Sequence, residues 1–142
     1  MKLFVSPVIV GAMALLFCID SVATGTGVER ADAKPLIGAW VSEPPDRCLE
    51  HYQFGADGSL LVKSREEVLT GTFIAEAVDG AERVTKITRI IVSSNGLPDC
   101  GGRVLNQFSK PQSGYAFWES PVQFRLCMDQ RGTRCIGRFR RP

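Results

Sequence analysis

Few side chains in this sequence are of types and spacings that do chemistry. Hydrolysis by a Ser or Cys nucleophile requires a base, commonly His, held in place by a third group, and His51 is the one histidine of the chain. In the alternating run over residues 48–54 it falls with Leu49 and Gln53, opposite Tyr52 and Phe54, so it is expected on the outer face of a strand. Paired carboxylates such as Glu66 and Glu67 cleave glycosidic bonds, but neighbours in a strand or turn point apart, and Arg65-Glu66-Glu67 reads as a solvated turn. The sequence carries no phosphate loop, dinucleotide fingerprint or metal-binding helix motif. These residues predict a protein that is not an enzyme and uses no cofactor.

The cysteines point to oxidation rather than to metal. Cys18 sits in an N-terminal apolar run, leaving Cys48, Cys100, Cys127 and Cys135. There is no Cys-x-x-Cys, His51 lies three residues from Cys48 and the other thiols are scattered, so no metal site is expected. Two disulfides are predicted. Cys127 with Cys135 is favoured because Asp129, Gly132 and Thr133 make the intervening segment a hairpin loop, and Cys48 with Cys100 follows by elimination. Residues 124–142 carry Arg125, Arg131, Arg134, Arg138, Arg140 and Arg141 against Asp129 alone. Such a run suits an anionic partner, or keeps an edge hairpin soluble. Nucleic acid is not expected, because Tyr115, Phe117 and Trp118 form no known stacking motif.

The elements that must position these groups follow a leader. Seventeen uncharged residues run from Leu3 to Ile19 between Lys2 and Asp20, and Ser21-Val22-Ala23-Thr24-Gly25 follows, the pattern of a secretory signal peptide spanning residues 1–23. An uncleaved anchor is the alternative, although the run is short for a bilayer span. Phe17 before Cys18 is too bulky for a lipoprotein cleavage site. Cleavage after Ala23 removes Lys2 and Asp20 from the 17 Lys+Arg and 15 Asp+Glu of the 142-residue chain, leaving a net charge of +2 on a single domain over residues 24–142. The expected location is periplasmic or secreted, with no stable membrane span after cleavage.

That domain reads as strands. Short apolar alternation recurs over residues 36–41, 48–54, 59–64, 68–78, 84–92, 103–108, 114–118, 122–128 and 135–140, broken by Gly, Pro, Asp or Asn. Asp57-Gly58 and Asp79-Gly80 are hairpin turn signals. The β-branched run Val84-Thr85-Lys86-Ile87-Thr88-Arg89-Ile90-Ile91-Val92 would make a poor helix. Eight or nine strands in hairpin order favour an all-β antiparallel meander closed into a barrel, since closure removes exposed edges. A two-sheet sandwich with Greek-key crossovers is the alternative.

Gly38-Ala39-Trp40 on the first strand, Phe54-x-x-Asp57-Gly58 ending the second and Gly71-Thr72-Phe73 on a later one resemble the lipocalin-like (calycin) barrels, particularly their short exported bacterial forms. The exported chain is expected to be shorter than the larger lipocalins, with no helix expected after the last strand. The resemblance implies that Trp40 lies at the closed end of the barrel with an arginine of the last strand, Arg138 or Arg140, against its ring. It further implies a non-catalytic binder of a small apolar or anionic amphipathic ligand; alternation and hydrophobicity place Tyr52, Phe54, Leu60, Val62, Ile74 and Phe117 as the residues expected to line the interior. The rival expectation is a protein-binding module, such as an enzyme inhibitor or an envelope component with a protein partner. A net charge of +2 suits a cationic lysozyme target poorly.

Overall fold

The computed structural model describes residues 35–43 and 48–142; the expected signal peptide, its cleavage after Ala23 and Cys18 lie outside these residues. Eight strands follow one another: β1 (Gly38–Glu43), β2 (Glu50–Phe54), β3 (Ser59–Ser64), β4 (Glu67–Val78), β5 (Ala81–Ser94), β6 (Gln112–Ser120), β7 (Gln123–Cys127) and β8 (Cys135–Arg140). Each pairs antiparallel with its neighbour in sequence, and β1 closes the barrel on β8 through Val41 opposite Arg140, Ser42 opposite Phe139 and Glu43 opposite Arg138. The fold is therefore a closed meander, and the sandwich alternative is set aside. Among the described residues there is no helix long and apolar enough to cross a membrane.

Local chemistry sets the turns. Asp57 accepts a hydrogen bond from the Ser59 amide at 2.9 Å, and Gly58 takes the positive φ of 84° that the β2–β3 turn demands. Both disulfides form as paired in the sequence, Cys48 with Cys100 and Cys127 with Cys135, the latter directly opposite each other on β7 and β8. Two covalent cross-links of this kind are consistent with an oxidising extracellular compartment.

Two expectations fail here. Residues 103–108 form no strand but part of the long loop between β5 and β6. β6 covers β5 only from Val84–Phe117 to Arg89–Gln112, and beyond that pairing the loop meets β5 through the Ser109 amide on the Ile91 carbonyl at 2.9 Å rather than through a ladder. The loop is held instead by Asp99, whose carboxylate accepts the Arg103 amide at 2.8 Å and pairs with its guanidinium at 3.2 Å, and by the Cys100 amide on Ser64 Oγ at 3.0 Å. Glu67 is likewise not part of a solvated turn. The β3–β4 turn needs only Arg65, at φ 56°, and Glu66, so Glu67 opens β4 opposite Ser64 and faces inward with 5% of its surface exposed.

The inner face of the barrel is filled by an aromatic column. Phe54 meets Phe73 edge-on at 4.9 Å, Tyr52 meets Phe139 at 5.0 Å, Phe139 stacks on Phe124, and Phe124 leads to Trp40 and Trp118 at 4.9 and 5.0 Å. Pairs in these geometries add about 0.5–1.5 kcal/mol each beyond area burial. Trp40 is wholly buried at the closed end, with its indole N–H on the Leu36 carbonyl at 2.7 Å.

Its cationic partner differs from expectation. The guanidinium of Arg141, one residue beyond β8, lies 4.1 Å from the Trp40 ring centroid. Arg138 and Arg140 flank the inward Phe139 and so point outward, where Arg138 pairs with Glu119 at 3.0 Å and Arg140 with Glu43. Arg141 also donates to the Pro35 carbonyl at 3.0 Å, and Gly38, at φ 113°, leaves the space its guanidinium occupies.

Candidate functional site

The end of the barrel opposite Trp40 is its mouth, where β1 and β3 finish and β2 and β4 begin. Alternation places Glu50 and Tyr52 of β2, Ser64 of β3, Glu67 of β4 and Arg89 of β5 on its inner wall. The β5–β6 loop, tied down by Cys48–Cys100, contributes Asp99, Arg103 and Leu105 as a partial roof. Between wall and roof lies a chamber of about 460 Å³, within the range of small-molecule sites. Below it an apolar cleft of only about 60 Å³ runs beside Phe54, Leu60 and Phe139.

The polar groups of the chamber form a network. Tyr52 donates its hydroxyl to Glu50 Oε2 at 2.9 Å and Ser64 donates to Glu50 Oε1 at 2.7 Å, so both oxygens of Glu50 have partners. Burial, reinforced by the negative charge of Glu50, raises the Tyr52 phenol far above its ordinary value. Burial and then the charge of Asp99 raise the Glu67 carboxyl, while the Leu105 amide pulls the other way. Asp99 is lowered, chiefly by the Arg103 amide and also by its guanidinium charge. Arg89 donates Nε to Gln112 Oε1 at 3.1 Å and forms no ion pair with a described carboxylate. The described residues hold no group of three His, Cys, Asp or Glu side chains arranged to bind a metal ion.

The raised Glu67 carboxyl sets a sign for stability against pH. A carboxyl that holds its proton more tightly folded than unfolded costs the fold stability as pH rises from the ordinary glutamate value through the raised one. Glu67→Gln removes that cost. The variant should unfold a few degrees higher than the parent near neutral pH, with the difference shrinking as the pH is lowered below the ordinary glutamate value; thermal unfolding across an acid-to-neutral series measures it.

The structure brings together part of the set expected from sequence. Tyr52, Phe54 and Leu60 border the cleft, and Tyr52 and Val62 border the chamber. Ile74 does not join them, being 43% exposed on the outer face of β4, because Leu69, Phe73 and Ala75 claim the inner face. Phe117 is also outside, lying over Gly132 of the β7–β8 loop, while Trp118 next to it points inward and donates to Thr85 at 2.9 Å. His51 is exposed on the outer wall as expected. The arginine run is mostly engaged in local contacts: Arg125 and Arg138 share Glu119, Arg134 pairs with Asp129 and Arg140 with Glu43.

Sequence reasoning missed Arg89 and Glu67. A signal for Arg89 was present: Thr85, Ile87, Arg89 and Ile91 share one face of a strand whose other members on that face are buried, so a charge there points inward. No protein-family model, curated protein or solved structure matches the chain. The closed eight-stranded antiparallel barrel is compatible with lipocalin-like architecture.

Proposed function

We propose that this is an exported, non-catalytic binding protein of lipocalin-like kind that takes a small apolar or amphipathic molecule into the chamber at its mouth. The observation that carries the reading is the chamber itself: about 460 Å³, walled by Val62, Leu69, Ile91 and Leu105 together with a few hydrogen-bonding groups. Its place differs from a deep lipocalin-like pocket, because the aromatic column leaves little room below. The non-catalytic part of the reading is supported by His51, which stands on the outer wall away from the chamber. An apolar interior with polar outer positions such as Gln53, Lys63, Thr72 and Glu76 is the reverse of a membrane-spanning barrel, and supports a protein free of the bilayer.

A neutral solvatochromic dye tests it. Nile red should brighten on the parent protein, and Leu105→Arg, a change in a half-buried loop residue of the roof, should weaken its binding about tenfold or more by filling the chamber. Failure of the parent to bind Nile red or any co-purified molecule by native mass spectrometry sinks the reading. The alternative is a protein-binding module, inhibitor or envelope component, and the observation favouring it is the filled barrel core.

A further inference from the structure

The two disulfides differ in how solvent reaches them. Cys48 and Cys100 are both half-buried. Cys127 and Cys135 stand opposite each other on β7 and β8 but are unequal, Cys127 being wholly buried and Cys135 exposed. A small nucleophile therefore meets this bond at Cys135 Sγ. The surroundings of that sulfur are cationic. The Arg125 guanidinium lies 4.0 Å from it, and Arg131, Arg134 and Arg138 belong to the same hairpin, against Asp129 and the adjacent Glu119. The hairpin is also held by bonds other than the disulfide. Asp129 accepts the amides of Arg131, Thr133 and Arg134 at 3.0, 3.2 and 2.7 Å, and the Met128 amide donates to the Arg134 carbonyl at 2.8 Å. Opening the bond thus leaves the two sulfurs facing each other across the strands, in position to close again.

We propose that Cys127–Cys135 is a thiol–disulfide exchange site, entered at Cys135 and selective for small anionic thiols. The proposal goes beyond the small-molecule reading of the chamber and does not depend on it. The reacting species is a thiolate, and the arginines around Cys135 raise the local concentration of an anionic one. The thiolate attacks Cys135 Sγ; a new S–S bond forms to the incoming sulfur, the bond between the two cysteines breaks, and its electron pair leaves on Cys127, which takes a proton from water because a buried thiolate is costly. From the mixed disulfide two routes lead on. Cys127 attacks Cys135 again, expelling the small thiol and restoring the resting bond, or a second small thiolate attacks the bound sulfur. The second route releases Cys135 as a thiol and a small-molecule disulfide, so the protein gains the two electrons that the two thiols lose.

Three thiols of similar size and different charge test it: 2-mercaptoethanesulfonate, 2-mercaptoethanol and cysteamine, compared at equal thiolate concentration on the folded protein, with alkylation and peptide mass mapping to locate each opened sulfur. Cys127–Cys135 should open before Cys48–Cys100, and the adduct should sit on Cys135. At low salt the sulfonate should react at least about fivefold faster than cysteamine, the factor that one unit charge at contact distance gives in water. Molar salt should bring that ratio toward unity. Arg125→Gln should slow the sulfonate while leaving the rate with mercaptoethanol within about twofold of the parent, a split by charge that a change in packing or access alone does not produce. Removal of thiol should re-form the bond, with the circular dichroism of the barrel unchanged throughout. An adduct on Cys127, earlier opening of Cys48–Cys100, rates independent of thiol charge, or opening only where urea unfolds the barrel overturns the proposal.

Discussion

Trp40→Ala should cost the barrel about 3–5 kcal/mol, a loss comparable to the whole stability of many small domains. The indole is fully buried, contacts Trp118 and Phe124, donates to Leu36 and lies under Arg141. Its removal leaves a cavity at the end of the aromatic column and an unpartnered Leu36 carbonyl. Arg141→Ala isolates the cationic part and should cost far less, about 0.5–2 kcal/mol, because the ring itself stays buried. Urea unfolding of both variants measures these values. A Trp40→Ala protein with an unchanged midpoint contradicts the closed-end packing described above.

The second large effect belongs to Cys48–Cys100. This bond closes a loop with a sequence separation of 52, and chain-entropy arguments give it about 4 kcal/mol of stabilisation through the unfolded state. Replacing both cysteines with serine should therefore lower the urea midpoint sharply, whereas the same change at Cys127 and Cys135, whose separation is 8, should lower it by about 2–3 kcal/mol. The long-range bond carries a further expectation, since it pins the β5–β6 loop that roofs the chamber. Its loss should raise hydrogen exchange in residues 95–111 beyond the rise seen in the strands. Equal rises everywhere would show that the loop is held by Ser64, Asp99 and Asn95 without the disulfide.

Much of the barrel was legible because strand alternation and turn chemistry agree. Asp57-Gly58 and Asp79-Gly80 fall at hairpins, and the β-branched run over residues 84–92 lies within β5. Two of the errors share a cause, namely positions where two large apolar residues are neighbours and only one can face inward. Ile74 lost the interior to Phe73, and Phe117 lost it to Trp118, because register is set by the whole strand rather than by the hydrophobicity of one residue. The arginine over Trp40 was missed by one position, since the last strand's alternation sends Arg138 and Arg140 outward and leaves Arg141 to turn across the closed end. Residues 103–108 alternate like a strand, yet strand formation needs a partner that sequence periodicity does not report. The chamber itself was illegible for a related reason, as its roof comes from that loop and its polar wall from inward charges in strands read as apolar.

The order of the strands bears on how long the folded protein persists once formed. Every pairing joins neighbours along the chain except the seam of β1 with β8, whose Glu43 and Arg140 are 97 residues apart. Hairpins close cheaply and early, whereas the seam must bring distant segments together, so loop-closure entropy makes it the expected slow step of folding. Contacts completed only after that step, among them Arg141 against Trp40 and its bond to Pro35, then act mainly on the unfolding rate. Those late contacts thus work as a kinetic clasp, slowing the opening through which proteases would reach the chain.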